Sequence, residues 1–301
     1  MLTRRRHILL LSSALLPQAT FVAAQAQPVG LVEEIDGVVE ATGDAGRRAL
    51  TLGADVWRGD RLRSDAAGGC ALRFADDTLF DIGASSEITI DAFVYDEGST
   101  AFAASVLMGG FRFITGQIAS RNPPTFQVRT PTAVIGVRGT HVAGTVEDET
   151  LHAMLLESEL DDAGAAFIRN QAGETVLDEP GALLRWRDRG ARAEQLQALN
   201  RSQQHSYFDR VGLGARLRRF HADRDAIREA VSQLPPAQRR VVVQRLRAVR
   251  ERIRALPANQ RPAALRRLRE TLRDRLRAAP GQRGQRLREL REERRRELRD
   301  R

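Results

Sequence analysis

The sequence predicts a multi-domain chain, β then α, in which an all-β body of solenoid-like or sandwich-like form precedes an extended arginine-rich helical tail with repeats. Two observations support this prediction. Between Gly30 and Trp186, short near-alternating apolar runs are separated by Gly, Asp and Asn residues, which is typical of half-buried strands joined by turns. Beyond Gly190 the apolar residues adopt helical spacing, and a repeat of 22 residues appears. The expected domains are a signal peptide at 1–26, a β-rich domain at 27–187, a helical linker region at 188–233 and helical repeats at 234–301.

Electric charge divides the chain in the same way. Its 301 residues include 48 basic side chains, all of them arginine, and 39 acidic ones, for a formal net charge of +9. Residues 30–187 carry a net −12, whereas residues 188–301 carry +18. The acidic body and the basic tail are therefore expected to differ in their partners.

The first segment has the features of a secretory signal peptide. Three arginines at 4–6 precede an apolar run from Ile8 to Leu16, and small residues lead to Ala26. We expect cleavage between Ala26 and Gln27; the arginines also fit a twin-arginine signal, and general secretory export stays open. No apolar run in the sequence reaches the ~20 residues of a membrane span. The mature chain is therefore expected to be periplasmic or secreted, without a transmembrane segment.

The body contains a series of strand candidates divided by turns. Alternation is clearest at Ala71–Phe74, Glu87–Ile90 and Phe126–Thr130. Residues 151–187 are expected to add two or three strands, with a turn at Asn170–Gly173. The other turn signals are Gly43–Asp44, Gly59–Asp60, Gly68–Gly69, Asp76–Asp77, Gly109–Gly110 and Asn122–Pro124.

Three runs of the body carry a family resemblance. They are GDRLRS at 59–64, ALRFADDT at 71–78 and TPTAVIGVRGT at 130–140. In this order they resemble the FecR domain, an exported β-rich module, over about residues 30–150, and the run at 130–140 is the most specific. The resemblance implies a twisted all-β fold with solenoid-like character.

The N-terminus departs from the family pattern. FecR-type regulators are described with a cytoplasmic anti-sigma segment and one membrane helix ahead of this domain. Here a cleavable signal is expected at 1–26 instead, so we expect neither feature, and no direct contact with a cytoplasmic sigma factor. The resemblance therefore applies to the β domain alone, with the expectation that it binds a protein or a ligand.

The run at 130–140 supports two interpretations. In the structural one, Gly136 and Gly139 allow tight backbone geometry, the apolar residues between 134 and 137 fill a core, and Arg138 satisfies buried carbonyls or an acid. In the functional one, Arg138 and the flanking threonines form an exposed ligand or partner site. The family-motif residues and possible partner contacts are Thr130, Pro131, Thr132, Gly136, Arg138, Gly139 and Thr140.

Residues that could carry chemistry are few. The sequence contains no nucleophile elbow, Walker loop or HExxH motif, and its one cysteine excludes an intramolecular disulfide and a cysteine-rich zinc site. Asp76–Asp77 and Asp161–Asp162 are expected in solvated turns, His141 and His152 lack a third ligand at metal spacing, and Cys70 is expected as a small buried side chain. We therefore expect no catalytic residues, no cofactor, no metal and no enzymatic activity.

The tail combines helical spacing with a repeat. Helices are predicted over Ala191–Val211 and Leu213–Leu234. After them Leu234–Arg239 recurs as Leu256–Arg261 and, more weakly, as Ala279–Arg283. Each proline is expected to open a helix, and the units stack together, pair between chains as a homo-oligomer, or stay partly disordered. The seam typical of a coiled coil comprises Val242, Leu246, Val249, Ile253 and Leu256.

The arginines of the tail allow three interpretations. They form a solvated helix surface or dock on the acidic body, they bind an envelope polyanion such as lipopolysaccharide or another acidic polymer, or they contact a protein. Three functions follow for the whole chain: a non-enzymatic envelope interaction protein that binds a protein or glycan partner, a diverged component of an extracytoplasmic signalling system, or an enzyme. The motif search disfavours the enzyme, and the first function is the one we expect.

Overall fold

The computed structural model describes residues 28–96, 99–121, 125–156 and 165–232, with isolated positions between 248 and 271. Within these residues, helices are few and strands predominate. The strands are β1 (Gly30–Asp36), β2 (Val39–Gly43), β3 (Gly46–Ala49), β4 (Asp55–Val56), β5 (Arg61–Ser64), β6 (Gly69–Phe74), β7 (Leu79–Ile82), β8 (Glu87–Tyr95), β9 (Thr100–Ile114), β10 (Phe126–Arg129), β11 (Val134–Arg138), β12 (His141–Glu147), β13 (Thr150–Leu155), β14 (Ala165–Asn170), β15 (Gly173–Leu177), β16 (Ala182–Trp186) and β17 (Glu194–Ala198). The helices are α1 (Gln117–Arg121), α2 (Arg201–Asp209) and α3 (Gly214–Ser232).

The strands form two sheets that share the long strand β9. Sheet A has the order β4-β1-β6-β7-β9-β12-β13-β16-β17. Sheet B has the order β3-β2-β5-β8-β9-β10-β11-β14-β15. Neighbours are antiparallel except β9 and β10, which are parallel. The expected all-β body is confirmed, in the form of two layers joined through one strand.

One apolar core fills the space between the sheets. Inward residues of both sheets, such as Leu72 and Ile88, belong to a single buried cluster. Phe102 stacks on Phe126 with ring centroids 4.4 Å apart and meets Phe74 edge-on at 5.0 Å. Such aromatic contacts and the burial of the rings hold the layers in a fixed relation. The phenylalanines that contact one another are Phe74, Phe80, Phe93, Phe102, Phe111, Phe113 and Phe126.

A β-bulge marks the point where β9 leaves sheet B for sheet A. The ladder with β8 shifts register there, because Glu87 pairs with Met108 while Ile88 pairs with Val106. Gly109 follows with φ +90°, a conformation that favours glycine. The prediction of a turn at Gly109–Gly110 is therefore wrong. The two glycines lie inside β9 and allow this strand to change sheets.

The outer face of sheet A is covered by α2 and α3. A second apolar cluster joins Met154 of β13 to Phe208 of α2 and Leu217 of α3. From α3, the Arg216 guanidinium donates to the Ile82 carbonyl at 3.1 Å and to Asp36 at 2.7 Å. The described arginines that follow the β body thus dock in part on the acidic body, as one interpretation expected.

The linker region differs from the expectation at its start. The helix expected over Ala191–Val211 is wrong for Glu194–Ala198, which form the edge strand β17 paired with β16. The reason is pairing with an open sheet edge, supported by a Glu194–Arg185 ion pair of 2.6 Å. Helix α2 begins only at Arg201, after Asn200, whose side chain accepts the Gln203 N–H in a capping box.

Other expectations fall outside the described residues. These are the signal peptide at 1–26 with its cleavage point, the turn at Asn122–Pro124, Asp161–Asp162, and nearly all of the repeats at 234–301. Among the described residues, no helix is long and apolar enough to cross a membrane. The described part of residues 151–187 contains four strands, β13 to β16, where two or three were expected. The turn at Asn170–Gly173 is confirmed between β14 and β15.

Candidate interaction surface

The first part of the family motif builds a turn between β10 and β11. The Thr130 hydroxyl accepts the Ala133 N–H at 3.0 Å and donates to the Ala133 carbonyl at 2.9 Å. The Pro131 carbonyl accepts a hydrogen bond of 2.7 Å from Arg189. Thr132 is buried and donates to the Glu149 carbonyl in the β12–β13 turn. These contacts assign Thr130 and Thr132 to the turn itself.

The second part of the motif forms β11 and the step into β12. Gly139 has φ +62°, so it needs the freedom of glycine, whereas Gly136 has ordinary strand geometry, and a Cβ added there would lie 3.8 Å from its nearest atom. The prediction that a glycine allows tight backbone geometry is therefore confirmed at Gly139 and wrong at Gly136. Thr140 is buried, and its N–H donates to Thr115 at 2.9 Å. The backbone of Arg138 lies in β11, opposite Ala165.

Burial decides between the two interpretations for part of this run. Thr132 and Thr140 are each about 3% exposed, so the expectation that the flanking threonines form an exposed site is wrong for these two. Ile135 and Val137 fill the core as the structural interpretation expected, while Val134 is half-buried and faces outward. The motif thus mainly shapes the scaffold.

Among the residues that the structure describes, the most exposed pair of adjacent apolar residues lies beside this turn, at the bulge. Leu107 and Met108 are 51% and 49% exposed. They stand on the outer face of sheet B, where β10 runs parallel to β9 and Arg129 is level with Ser105. A bulge is a common way to aim side chains out of a sheet next to a functional site. Sequence analysis missed this pair; the signal was an apolar dipeptide followed by Gly-Gly inside a long alternating run.

Charged side chains stand next to the apolar pair in one row across the sheet. Met108 is opposite Glu87, and Glu87 is opposite Arg63 of β5. We define the bulge patch as Leu107, Met108, Glu87, Arg61 and Arg63. Because neighbouring strands are ~4.8 Å apart, the apolar and the charged parts of the patch are adjacent.

Glu87 holds the two arginines of the patch in place. Its side chain is about 4% exposed, and those of Arg61 and Arg63 are 53% and 67% exposed. Arg61 Nε donates to Oε1 at 2.5 Å, and Arg63 donates to Oε2 from both Nε and Nη2 at 2.6 Å. One buried carboxylate therefore orients two exposed guanidinium groups.

A shallow pocket of about 210 Å³ lies over these arginines. Its other lining residues are Glu40 and Thr42 of β2 and Arg47 of β3. Arg47 forms a 2.6 Å ion pair with Glu40. The pocket thus brings together three arginines, one hydroxyl and one exposed carboxylate on the outer face of sheet B.

Two serines fix the backbone beneath the bulge. The Ser86 hydroxyl donates to the Gly110 carbonyl at 3.2 Å and accepts the Gly110 N–H at 3.0 Å. The Ser64 hydroxyl accepts the Ser86 N–H at 2.9 Å and donates to the Gly83 carbonyl at 2.6 Å. These bonds join β5 and β9 to the segment that leads into β8, next to the bulge patch, and hold the backbone there in place.

The titratable residues singled out from the sequence have structural settings. Asp76, expected in a solvated turn, is fully buried: its carboxylate accepts from Thr78 and from the Ile118 N–H, and burial raises its pKa. That expectation is wrong because this carboxylate binds α1 to the β6–β7 turn. Cys70 lies in the core as expected, and burial raises the pKa of its thiol to about 12.

The two histidines lie on the covered side of the molecule. His141 and His152 are on neighbouring strands of sheet A, and the register separates them by four positions, ~13 Å. His141 contacts Phe220 of α3 edge-on, with centroids 4.9 Å apart. Burial lowers the pKa of His152, which lies near Tyr207. The fold does not bring the pair together.

Comparison with known proteins places the bulge patch inside a recognised domain. Two crystal structures of a "putative anti-sigma factor" from Parabacteroides distasonis ATCC 8503 are similar, with 12% and 13% identity and a TM-score of 0.38 each. The similarity covers 49% of this chain and only 64% and 63% of those chains, and at this TM-score it supports no conclusion. No match was found among curated proteins. The family model described as FecR protein matches residues 60–160, so this part of the chain is a FecR-type domain.

Proposed function

We propose that the chain is a non-enzymatic interaction protein of the cell envelope, whose FecR-type domain binds a protein partner at the bulge patch. The observation that carries this proposal is the exposed Leu107–Met108 pair on a rigid bulge, bordered by two oriented arginines. Apolar side chains with arginine at their border are typical of the centre of protein interfaces.

Burial of the apolar pair supplies part of the binding free energy. About half of each apolar side chain is exposed, so covering both contributes about 2 kcal/mol, or about thirtyfold in affinity. Because the scaffold is held by the Ser64 and Ser86 hydrogen bonds, little conformational entropy is lost on binding.

The two outer faces of the molecule differ in a way that favours this location. Helices α2 and α3 cover the outer face of sheet A through Phe208, Leu217 and Arg216. Within the described part of the chain, no helix packs on the outer face of sheet B at the bulge patch. The patch is therefore accessible to a second molecule.

Sedimentation with cell envelopes tests the proposal. The full chain, a Leu107→Ser/Met108→Ser variant and a Leu52→Ser control are compared at an ionic strength of roughly 0.5 M, which screens the basic tail. Leu52 is 56% exposed but lies in the turn before β4, away from the patch. We expect the double variant alone to lose binding, and protease treatment of the envelopes to abolish binding of the unsubstituted chain. Equal binding of the double variant, or binding that survives the protease, would contradict a protein partner at this patch.

The basic tail supports a second, separate contribution. Residues 188–301 carry +18, and we propose that residues 234–301 retain the protein on envelope polyanions or pair it with other copies. Changing Arg294, Arg295 and Arg296 to Gln is expected to weaken low-salt envelope binding and to leave the high-salt, patch-dependent binding unchanged. Unaltered binding at low salt would count against the polyanion role.

The FecR family match also supports an alternative, a diverged component of an extracytoplasmic signalling system. In that case the partner at the bulge patch is itself a membrane regulator or receptor. Identification of the bound protein by mass spectrometry separates the two proposals, because an adhesin-like or structural envelope protein would point to the first.

A further inference from the structure

The pocket beside the bulge patch has an organisation that simple surface ion pairing does not require. Glu87 is almost fully buried, yet its two arginine partners are more than half exposed. A carboxylate loses hydration when it is buried, and this cost is offset here by two guanidinium groups rather than one. The result is a pair of outward guanidinium groups whose Nε edges are fixed on Glu87.

From this geometry, and resting on the proposed function, we infer that the pocket receives an acidic side chain of the protein partner. Arginine presents five N–H donors in a planar fork, and the contacts with Glu87 use only the Nε and Nη2 groups. Arg61 and Arg63 line the pocket together with Thr42. A carboxylate accepts from two such groups at once.

Local charge favours an anion at this place. The pocket and its floor contain three arginines against the carboxylates of Glu40 and Glu87, so one positive charge is in excess. The body around it carries a net −12 over residues 30–187. An acidic partner is therefore repelled over most of the body and attracted at the pocket, which fixes its orientation.

The register gives the spacing that the partner has to match. Arg63, Glu87 and Met108 lie in one row on three neighbouring strands, so the pocket and the apolar pair are about two strand spacings, ~10 Å, apart. The partner segment accordingly presents a carboxylate and a large apolar side chain ~10 Å apart on one of its faces.

The test uses a photo-crosslinking amino acid at Met108 of the full chain, in the cells that produce the protein. The Arg61→Gln/Arg63→Gln variant is compared with Arg169→Gln, a matched control whose exposed arginine pairs with Glu174 elsewhere on sheet B. We expect the crosslinked product to fall about tenfold in the first variant and to stay unchanged in the control.

Thermal unfolding of each variant accompanies the crosslinking, and only variants that unfold with the parent protein are compared. A crosslink that persists in the double arginine variant would overturn the acidic pocket while leaving the proposed function intact. Absence of a crosslink in the parent protein would instead contradict the proposed function. A crosslinked product that loses its added mass to glycan-degrading enzymes, and whose digest contains no peptide of a second protein, would show an acidic glycan in the pocket and overturn the protein partner.

Discussion

Glu87 and Met108 lie directly opposite each other across the β8–β9 ladder, but the carboxylate is buried and the thioether side chain is half exposed. The bulge produces this difference, since Leu107 is the extra residue that the ladder accommodates between Val106 and Met108. One cross-strand pair therefore supplies an apolar side chain of the patch, Met108, and the anchor of its arginines, Glu87.

Replacing the apolar pair should separate binding from stability. We predict that Leu107→Ser/Met108→Ser lowers the free energy of unfolding by no more than about 2 kcal/mol, because only about half of each residue is buried. Ile88→Ala, next to Glu87 but fully buried, should cost about 2–5 kcal/mol. Chemical denaturation of the three proteins checks this; a large loss of stability in the double variant would show that the pair has a structural role.

Two glycines should respond oppositely to alanine. At Gly109, φ is +90° and a Cβ would lie 2.5 Å from Ser86 Cα, so Gly109→Ala should destabilise by about 2–4 kcal/mol. At Gly136 the nearest atom to a Cβ is 3.8 Å away, so Gly136→Ala should be neutral or stabilise by about 0.5–1 kcal/mol. Thermal unfolding measures both. Marked destabilisation by Gly136→Ala would show that this motif glycine has a role that its backbone geometry does not explain.

Two arginines of α3 should contribute unequally to its attachment. Arg216 is 4% exposed and donates to the Ile82 carbonyl and to Asp36, so Arg216→Ala should cost about 1–3 kcal/mol. Arg219 forms an exposed pair with Glu34 at 3.1 Å, and Arg219→Ala should cost less than about 1 kcal/mol. Urea unfolding followed by circular dichroism at helix wavelengths compares them, and equal costs would contradict the burial difference as the cause.

Acid should weaken the contact between α2 and α3. His205 Nε2 and His221 Nδ1 are 2.9 Å apart, an arrangement that accommodates one proton but not two. Burial, with Arg218 nearby, lowers the pKa of His205, while Asp209 opposes this effect and Arg201 adds to it. Other titratable and charged groups lie on the face of sheet A that the helices cover. They are His141, which contacts Phe220, and the buried Arg112–Asp81 pair.

The direction of this pH dependence of stability follows from proton uptake. A free histidine has a pKa near 6.5, and the pKa of His205 is lowered in the folded protein, so the unfolded chain binds more protons at this residue below that pH. Stability is therefore present above pH ~6.5 and is lost as the pH falls below it. The unfolding temperature should drop between neutral and mildly acidic pH, and His205→Gln should reduce that drop. An identical pH dependence in the variant would exclude this histidine pair as its source.

The strand pattern and the family resemblance predict the β body well, because alternation and turn residues are local signals. They do not predict β17, since Glu194–Ala198 have few apolar residues and become a strand only through the free edge of β16. The burial of Asp76 is equally hidden from the local sequence, because it depends on α1, which lies about 40 residues further along the chain. The tail repeats lie almost entirely outside the described residues and stay a prediction.

The bulge patch is still harder to predict from the local sequence. Its members come from β5, β8 and β9, so that only sheet pairing unites Arg63, Glu87 and Met108. The motif at 130–140 is conspicuous in the sequence, yet the side chains of Thr130 and Thr132 stabilise the turn beside the patch. A specific sequence signature here indicates the scaffold, while the accessible residues next to it give little signal.

Photo-crosslinking in the producing cells is the decisive measurement for a protein-binding site at the bulge. The crosslinking amino acid is placed at Met108 in one protein and at Leu52, an equally exposed apolar residue outside the patch, in the other. We expect a discrete product from position 108 alone, whose digest contains peptides of a second protein and which is lost when Leu107 is changed to Ser. Equal products from both positions, or none from position 108, would show that the FecR-type domain does not bind a protein at the bulge.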